Sequence, residues 1–254
     1  VLGAHDISPE IVERQLKVIL EDGKPGAVKT GMLGNELIIK TLVRLLRRYR
    51  IKKLVVDPVI YSSSGKSLLS LQGIQVMKKE LLPITFLLTP NLNEAEILSG
   101  VKIKNASDRI RAARVLIKMG PKNVLIKGGH LKGKPQDFFF DGKRTIRLDA
   151  DRLIGPDVHG TGCVLASAIT AGLVKGKDVV TSVKEAKNFI GLAIMGAVIS
   201  GKGAPQVEPL TRLYQDSERY DMFQRVLRAV EVLKDHCIGE LIPEVQSNIG
   251  FGVE

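Results

Sequence analysis

A chain of 254 residues, 44% hydrophobic and 26% charged, is long enough for one large α/β domain with a substantial core, and this composition excludes a disordered chain. No apolar run approaches the ~20 residues that cross a bilayer, and the start Val1-Leu2-Gly3-Ala4-His5-Asp6 is no basic-then-apolar leader, so a cytoplasmic protein without a membrane partner is expected. The net charge of +11 raises the question of nucleic acid, but the cations are spread through helices among carboxylates and aromatics are only 4%, so no nucleic-acid partner is expected.

In chain order, Ser8-Pro9-Glu10 supplies a cap, a first-turn proline and an early acid for a helix running to about Asp22. Ala27-Val28-Lys29 reads as a short strand ending at Thr30-Gly31, and Asn35 to about Tyr49 as an amphipathic helix. Leu54 to Asp57 is an apolar strand stopped by Pro58. Ser70 to Leu82 reads as helix, and Ile84 to Leu88 as a strand stopped at Thr89-Pro90. Ser107 to Met119 is helical, and Asn123 to Lys127 is a strand before Gly128-Gly129. Unbroken apolar strands alternating with helices predict a mainly parallel sheet covered on both faces. Asp137-Phe138-Phe139-Phe140 and Arg144 to Leu148 then flank Asp141-Gly142, a hairpin signal. Helices from about Gly160 to Val174 and Asp178 to Ile199 follow, and Gly201-Lys202-Gly203-Ala204-Pro205 reads as a boundary. Residues 206–216 read as a linker, and a new helix is expected from Ser217 to near His236. The segment from Ile238 to Glu254 is too short to build its own core, so a second domain begins there that this sequence does not complete.

Ligands of open α/β sheets bind beyond the carboxyl ends of the strands. There the sequence places Lys29-Thr30-Gly31-Met32, Asp57-Pro58, Thr89-Pro90-Asn91 and Lys127-Gly128-Gly129-His130. Taken singly these are ordinary loop residues. Together, acids, lysines, glycines and an asparagine on one rim suit a nucleotide triphosphate with Mg2+.

His159-Gly160-Thr161-Gly162-Cys163 adds glycines at the opening of a helix, where successive backbone N–H groups turn toward one point at the positive end of the dipole. That is an anion hole for a transferring phosphoryl group, although a tight helix entry without ligand has the same appearance. Ser63-Ser64-Gly65-Lys66-Ser67 imitates the end of a P-loop but has Ile60 where the motif needs its first glycine, so it reads as a surface loop. His159 and Cys163 lack further ligands nearby for a metal pair. Cys163 and Cys237, the only cysteines, form no disulfide framework, which fits a reducing compartment.

The segments Lys29-Thr30-Gly31-Met32-Leu33, Val56-Asp57-Pro58-Val59, Thr89-Pro90-Asn91-Leu92-Asn93-Glu94-Ala95, Ile126-Lys127-Gly128-Gly129-His130 and His159-Gly160-Thr161-Gly162-Cys163 occur in this order. In that combination the chain, from Val1 to about Pro205, resembles the bifunctional hydroxymethylpyrimidine and phosphomethylpyrimidine kinases of the ribokinase superfamily. Single motifs are shared with pyridoxal kinases. The resemblance implies a ribokinase-like three-layer α/β sandwich and two successive ATP-dependent transfers, to the pyrimidine hydroxymethyl group and then to the resulting phosphate. It implies that Cys163 is the catalytic residue, where sugar kinases of the superfamily carry aspartate, and that the amides of Gly160, Thr161, Gly162 and Cys163 form the anion hole. A helix N-terminus favours a thiolate, and phosphoryl transfer asks mostly for positioning.

The resemblance further implies that Asn91, Lys127, Gly128, Gly129 and His130 lie on the ATP side, that Met32 and Val59 line the pyrimidine site, and that Asp57 and Glu94 help hold Mg2+. A homodimer is implied as well. Family members carry, before the position of Val1, a strand, a glycine-rich segment and a Gln-Asn-Thr stretch that complete the pyrimidine pocket. The fold is therefore expected to be incomplete at the N-terminus of this sequence. Ile242-Pro243-Glu244-Val245-Gln246-Ser247-Asn248-Ile249-Gly250 resembles the start of a ThiN-type thiamine-phosphate synthase domain. The expected domains are thus 1–205 for the kinase, 206–216 for a linker and 217–254 for the beginning of the ThiN-type domain. Pyridoxal kinase and a ligand-sensing regulator are the alternatives.

Overall fold

The computed structural model describes residues 5–62, 65–128, 136–149 and 158–234. Its centre is a six-stranded sheet in which each strand lies beside its sequence neighbour. β1 (Val28–Thr30), β2 (Leu54–Val56), β3 (Leu87–Leu88) and β4 (Asn123–Ile126) run parallel. β5 (Gln136–Phe140) and β6 (Thr145–Asp149) add an antiparallel hairpin through Phe138↔Ile126.

Period-two alternation sends neighbouring apolar residues to opposite faces. Val56, Leu88, Val124, Ile126, Phe138 and Phe140 pack on one side. That layer holds α2 (Glu36–Arg48), α3 (Leu71–Val76), α4 (Leu92–Ser99) and α5 (Ala106–Lys118). Val55, Leu87, Leu125 and Phe139 face α6 (Thr161–Val174) and α7 (Val179–Met195). Burial of Leu165, Ile169 and Leu173 of α6 contributes about 2 kcal/mol each. The result is the expected three-layer sandwich. α1 (Pro9–Asp22), capped by Ser8, docks on α2, with Arg44 donating to both Glu13 oxygens at 3.1 and 2.6 Å.

Several elements differ from the sequence reading. The helix expected from Ser70 to Leu82 is α-helical only to Val76, then a π-turn (Met77–Leu81) and a 3-10 turn (Leu82–Ile84) containing Pro83, which lacks a donor to continue the helix. That turn also shortens β3. α4 was not foreseen. Asn91 and Glu94 generate it by a capping box, and Gly100 ends it in the left-handed region. The last helix, α8 (Thr211–Lys234), begins before Ser217. Glu208 accepts from Leu210 N through its side chain and from Thr211 Oγ1 through its carbonyl, which starts the turn earlier. Cys237 and the ThiN-like segment lie outside the described residues.

Candidate active site

The parallel strands bring their carboxyl ends to one rim. Asp57 follows β2, its N–H bonded to Thr30 O at 3.1 Å, and its side chain is buried. Lys127 follows β4, its N–H bonded to Pro90 O, and its Nζ reaches back across the sheet to Asp57 Oδ1 at 2.6 Å. Thr89 Oγ1 donates to the same oxygen at 3.4 Å. Asp57 is therefore held by groups from β3 and β4 at once.

The N-terminus of α6 arrives at this pair. A β-carbon on Gly162 would lie 3.2 Å from Lys127 Nζ and 3.8 Å from Asp57 Oδ2, so the ion pair sits directly over the first turn. Cys163 Sγ, exposed to solvent, lies 4.0 Å from Asp57 Oδ2. Gly160, the N-cap, has φ 88°, a conformation that a side chain would strain. Helices α1 to α5 and α7 are each capped by a side chain, Ser8, Asn35, Ser70, Asn91, Asn105 and Asp178. No side chain caps α6. Its first amides, which lack intrahelical partners, are thus available to an anion. His159 N and O bond Pro205 O and Val207 N, so the expected boundary segment is tied to the turn.

Glu94 is buried, and both its oxygens accept from backbone: Oε2 from Asn91 N at 2.8 Å and Oε1 from Ile60 N at 3.3 Å. Burial raises its carboxyl above the usual range and nearby Asp57 adds to this, while Lys127 and the two amides pull it down. Ile60 follows Val59, which holds φ 42°, a left-handed conformation costly for a β-branched residue. Glu94 thereby fastens α4 to the strained loop after Asp57.

Mg2+ takes one or two carboxylates and completes its octahedron with waters and phosphate oxygens. Asp57 Oδ2, whose one hydrogen-bond donor among the described residues is the weakly donating thiol, fits that demand; Glu94 has already engaged both oxygens with amides. Among the described residues no three acidic, histidine or cysteine side chains cluster as a self-sufficient metal site. Gly128 N–H is held by buried Asp137 at 2.8 Å, whose other oxygen pairs with Lys187 of α7. Gly129 and His130 lie outside the described residues. Met32 is half exposed and lines an open cavity of about 470 Å³ with His5, Asp6 and Leu69, away from the ion pair. Val59 has its Cγ2 near Gly31.

Sequence reading found the motif residues but not how they pair. The Asp57–Lys127 bridge spans 70 positions, and no local signal announces it. The Asp137–Lys187 pair was missed altogether; a lone charge among Phe138, Phe139 and Phe140 was the signal that could have marked it.

A sheet of this order, with a buried ion pair over an uncapped glycine-rich helix entry, defines a small-molecule kinase of the ribokinase-like class. Residues 1–208 match the family described as phosphomethylpyrimidine kinase, and the chain belongs to that family. It is 42% identical over 204 residues to the hydroxymethylpyrimidine/phosphomethylpyrimidine kinase of Aquifex aeolicus, 80% of each chain being covered. Among solved structures, the phosphomethylpyrimidine kinase of Clostridium difficile 630 matches with TM-score 0.68 and 36% identity, covering 76% of this chain and 80% of that one. The Bacillus subtilis pyridoxal kinase in its ADP complex matches with TM-score 0.76 and 31% identity, covering 83% and 80%. Among the described residues no helix is long and apolar enough to cross a membrane.

Proposed function

We propose that this kinase transfers the γ-phosphoryl group of ATP first to the hydroxyl of hydroxymethylpyrimidine and then to the phosphate of the product, at the rim centred on Cys163. The observation that carries the proposal is the Asp57–Lys127 pair seated over the uncapped N-terminus of α6, with Cys163 Sγ 4.0 Å from Asp57.

In the first transfer the acceptor oxygen bonds to the γ-phosphorus, the bond to the β-phosphate oxygen breaks, and Cys163 Sγ takes the hydroxyl proton. The amides of Gly160, Thr161, Gly162 and Cys163, with Lys127 Nζ, offset the charge on the transferring group; one such donor is worth about 10²–10³ in rate. Asn91, Lys127, Gly128, Gly129 and His130 serve the nucleotide side, and Met32 and Val59 the pyrimidine side. Mg2+ bound with the nucleotide would be held at Asp57, Glu94 supporting it from the adjoining loop, and would supply neutralisation of phosphate charge. Residues 1–205 form the kinase unit on this reading, and 217–254 begin a ThiN-type domain after the 206–216 linker, the end of which is already helical in α8. A cytoplasmic homodimer that binds no nucleic acid completes it.

The similarity to pyridoxal kinases supports one alternative, a pyridoxal acceptor. An ADP-release assay of the full chain with hydroxymethylpyrimidine, its monophosphate and pyridoxal side by side separates the two. Turnover of both pyrimidines is expected; turnover of pyridoxal alone would overturn the pyrimidine assignment.

A further inference from the structure

The described residues include seven half-buried lysines: Lys17, Lys29, Lys53, Lys78, Lys127, Lys177 and Lys187. Six have partners. Lys17, Lys127, Lys177 and Lys187 pair with carboxylates, and Lys53 and Lys78 donate to the carbonyls of Leu173 and Ile97. Lys29 has neither a hydrogen bond nor an ion pair among the described residues. A withdrawn ammonium is costly to leave uncompensated, and this one stands on the rim.

Its position is defined on three sides. Lys29 registers with Val55, so it points to the sheet face covered by α6, the helix that carries Cys163. A β-carbon on Gly31 would lie 3.0 Å from Lys29 Nζ and 4.0 Å from Val59 Cγ2, so the amine occupies the space that glycine leaves beside the strained loop. Asp57, one residue beyond Val56 on the neighbouring strand, faces the same layer but is committed to Lys127. Lys29 lies on β1, one strand or ~4.8 Å from β2, which leads into Asp57 and the Lys127 amine bonded to it. It therefore stands at the Met32 end of the rim, next to the Asp57–Lys127 pair.

We infer that Lys29 is the cation that receives the phosphate already present on the acceptor when the second transfer takes place, and so sets the preference for phosphomethylpyrimidine over the free alcohol. The inference rests on the proposed pyrimidine kinase activity. A lysine suits this task, being a compact charge with three donors that can follow a phosphate as it turns. The step needs no reagent beyond ATP. An oxygen of the acceptor phosphate bonds to the γ-phosphorus, the bond to the β-phosphate oxygen breaks, and ADP leaves with that electron pair. Lys29 stays on non-attacking oxygens throughout. A neutral acceptor offers it no anionic oxygen.

The test compares wild type with Lys29→Met in the full chain, measuring kcat/KM for hydroxymethylpyrimidine and for its monophosphate, and calorimetric binding of each. The ratio of kcat/KM for the monophosphate to that for the alcohol should fall at least tenfold, mainly through KM, and the affinity ratio should fall with it. Lys29→Gln should behave alike and decides the matter if the methionine variant melts early. A ratio within threefold of wild type, with either both acceptors or neither impaired, would overturn the assignment. Wild-type turnover of pyridoxal alone would instead remove the proposed activity, and this inference with it.

Discussion

The two ends of the sheet rim are built differently. From the end of β2 across to β5 the described charged side chains of the site are matched: Asp57 by Lys127, Asp137 by Lys187, Glu94 by two amides. At the β1 end, and in the Val59 loop that Gly31 adjoins, the Lys29 side chain has no partner among the described residues, buried Thr30 Oγ1 makes no hydrogen bond, Met32 is half exposed and Val59 is strained. The difference fits the proposed division of labour. A triphosphate and its metal need a fixed electrostatic frame, whereas an end that must accept a neutral alcohol and then a charged monoester benefits from a cation not committed to an internal acid.

The largest expected effect is at the matched end. Lys127→Met should lower kcat about 10²–10³-fold while far-ultraviolet circular dichroism still reports a folded chain. A loss under threefold would mean that the ion pair is only structural.

Next, Gly128→Ala should cost about 2 kcal/mol in urea unfolding, because a β-carbon there would meet Gln136 O at 1.9 Å. Gly31→Ala at the other end should cost within about 0.5 kcal/mol, since the nearest group is the movable Lys29 amine. Equal costs would erase the contrast in rigidity.

A smaller effect concerns Glu94. Its carboxyl is raised by burial, so the folded chain holds that proton more tightly than the unfolded one. The resulting stability is complete below 4.5 and is lost as pH rises through the raised value. Glu94→Gln keeps an acceptor for only one of the two amides, a cost that does not vary with pH, and has no such proton. The stability of wild type relative to this variant should therefore fall as pH is taken from below 4.5 to neutrality; a constant difference would mean that Glu94 is not raised. Also small, Val59→Gly should change unfolding free energy by under about 1 kcal/mol, as relief of the φ 42° strain offsets lost side-chain burial and added chain entropy.

The sandwich was legible because Leu54 to Val56 and Asn123 to Ile126 are short apolar runs ending in turn residues, and because Asp141-Gly142 announces its hairpin. α4 was not legible as a helix, since its eight residues, Leu92 to Ser99, are too few for a clear period, although its capping box was visible as the Asn91 and Glu94 motif. In the site, glycine turns and strand ends have local signatures, but which charge meets which is decided by strands 30 to 70 residues apart. Glu94 enters the metal assignment only through the family resemblance, and its place at the third position of α4 shows why sequence alone is silent: the same carboxylate closes a capping box. The isolation of Lys29 is a property of its surroundings and has no sequence signal.

The central claim is that Cys163 takes a proton at the head of α6. A phosphate monoester has its second pKa near ~6, so as acceptor at neutral pH it has no proton to give, whereas the alcohol must lose one. The most direct measurement is kcat for both acceptors in wild type and Cys163→Ala. The alcohol should lose at least tenfold more rate than the monophosphate. Equal losses, or unchanged turnover of the alcohol, would contradict a proton-accepting Cys163.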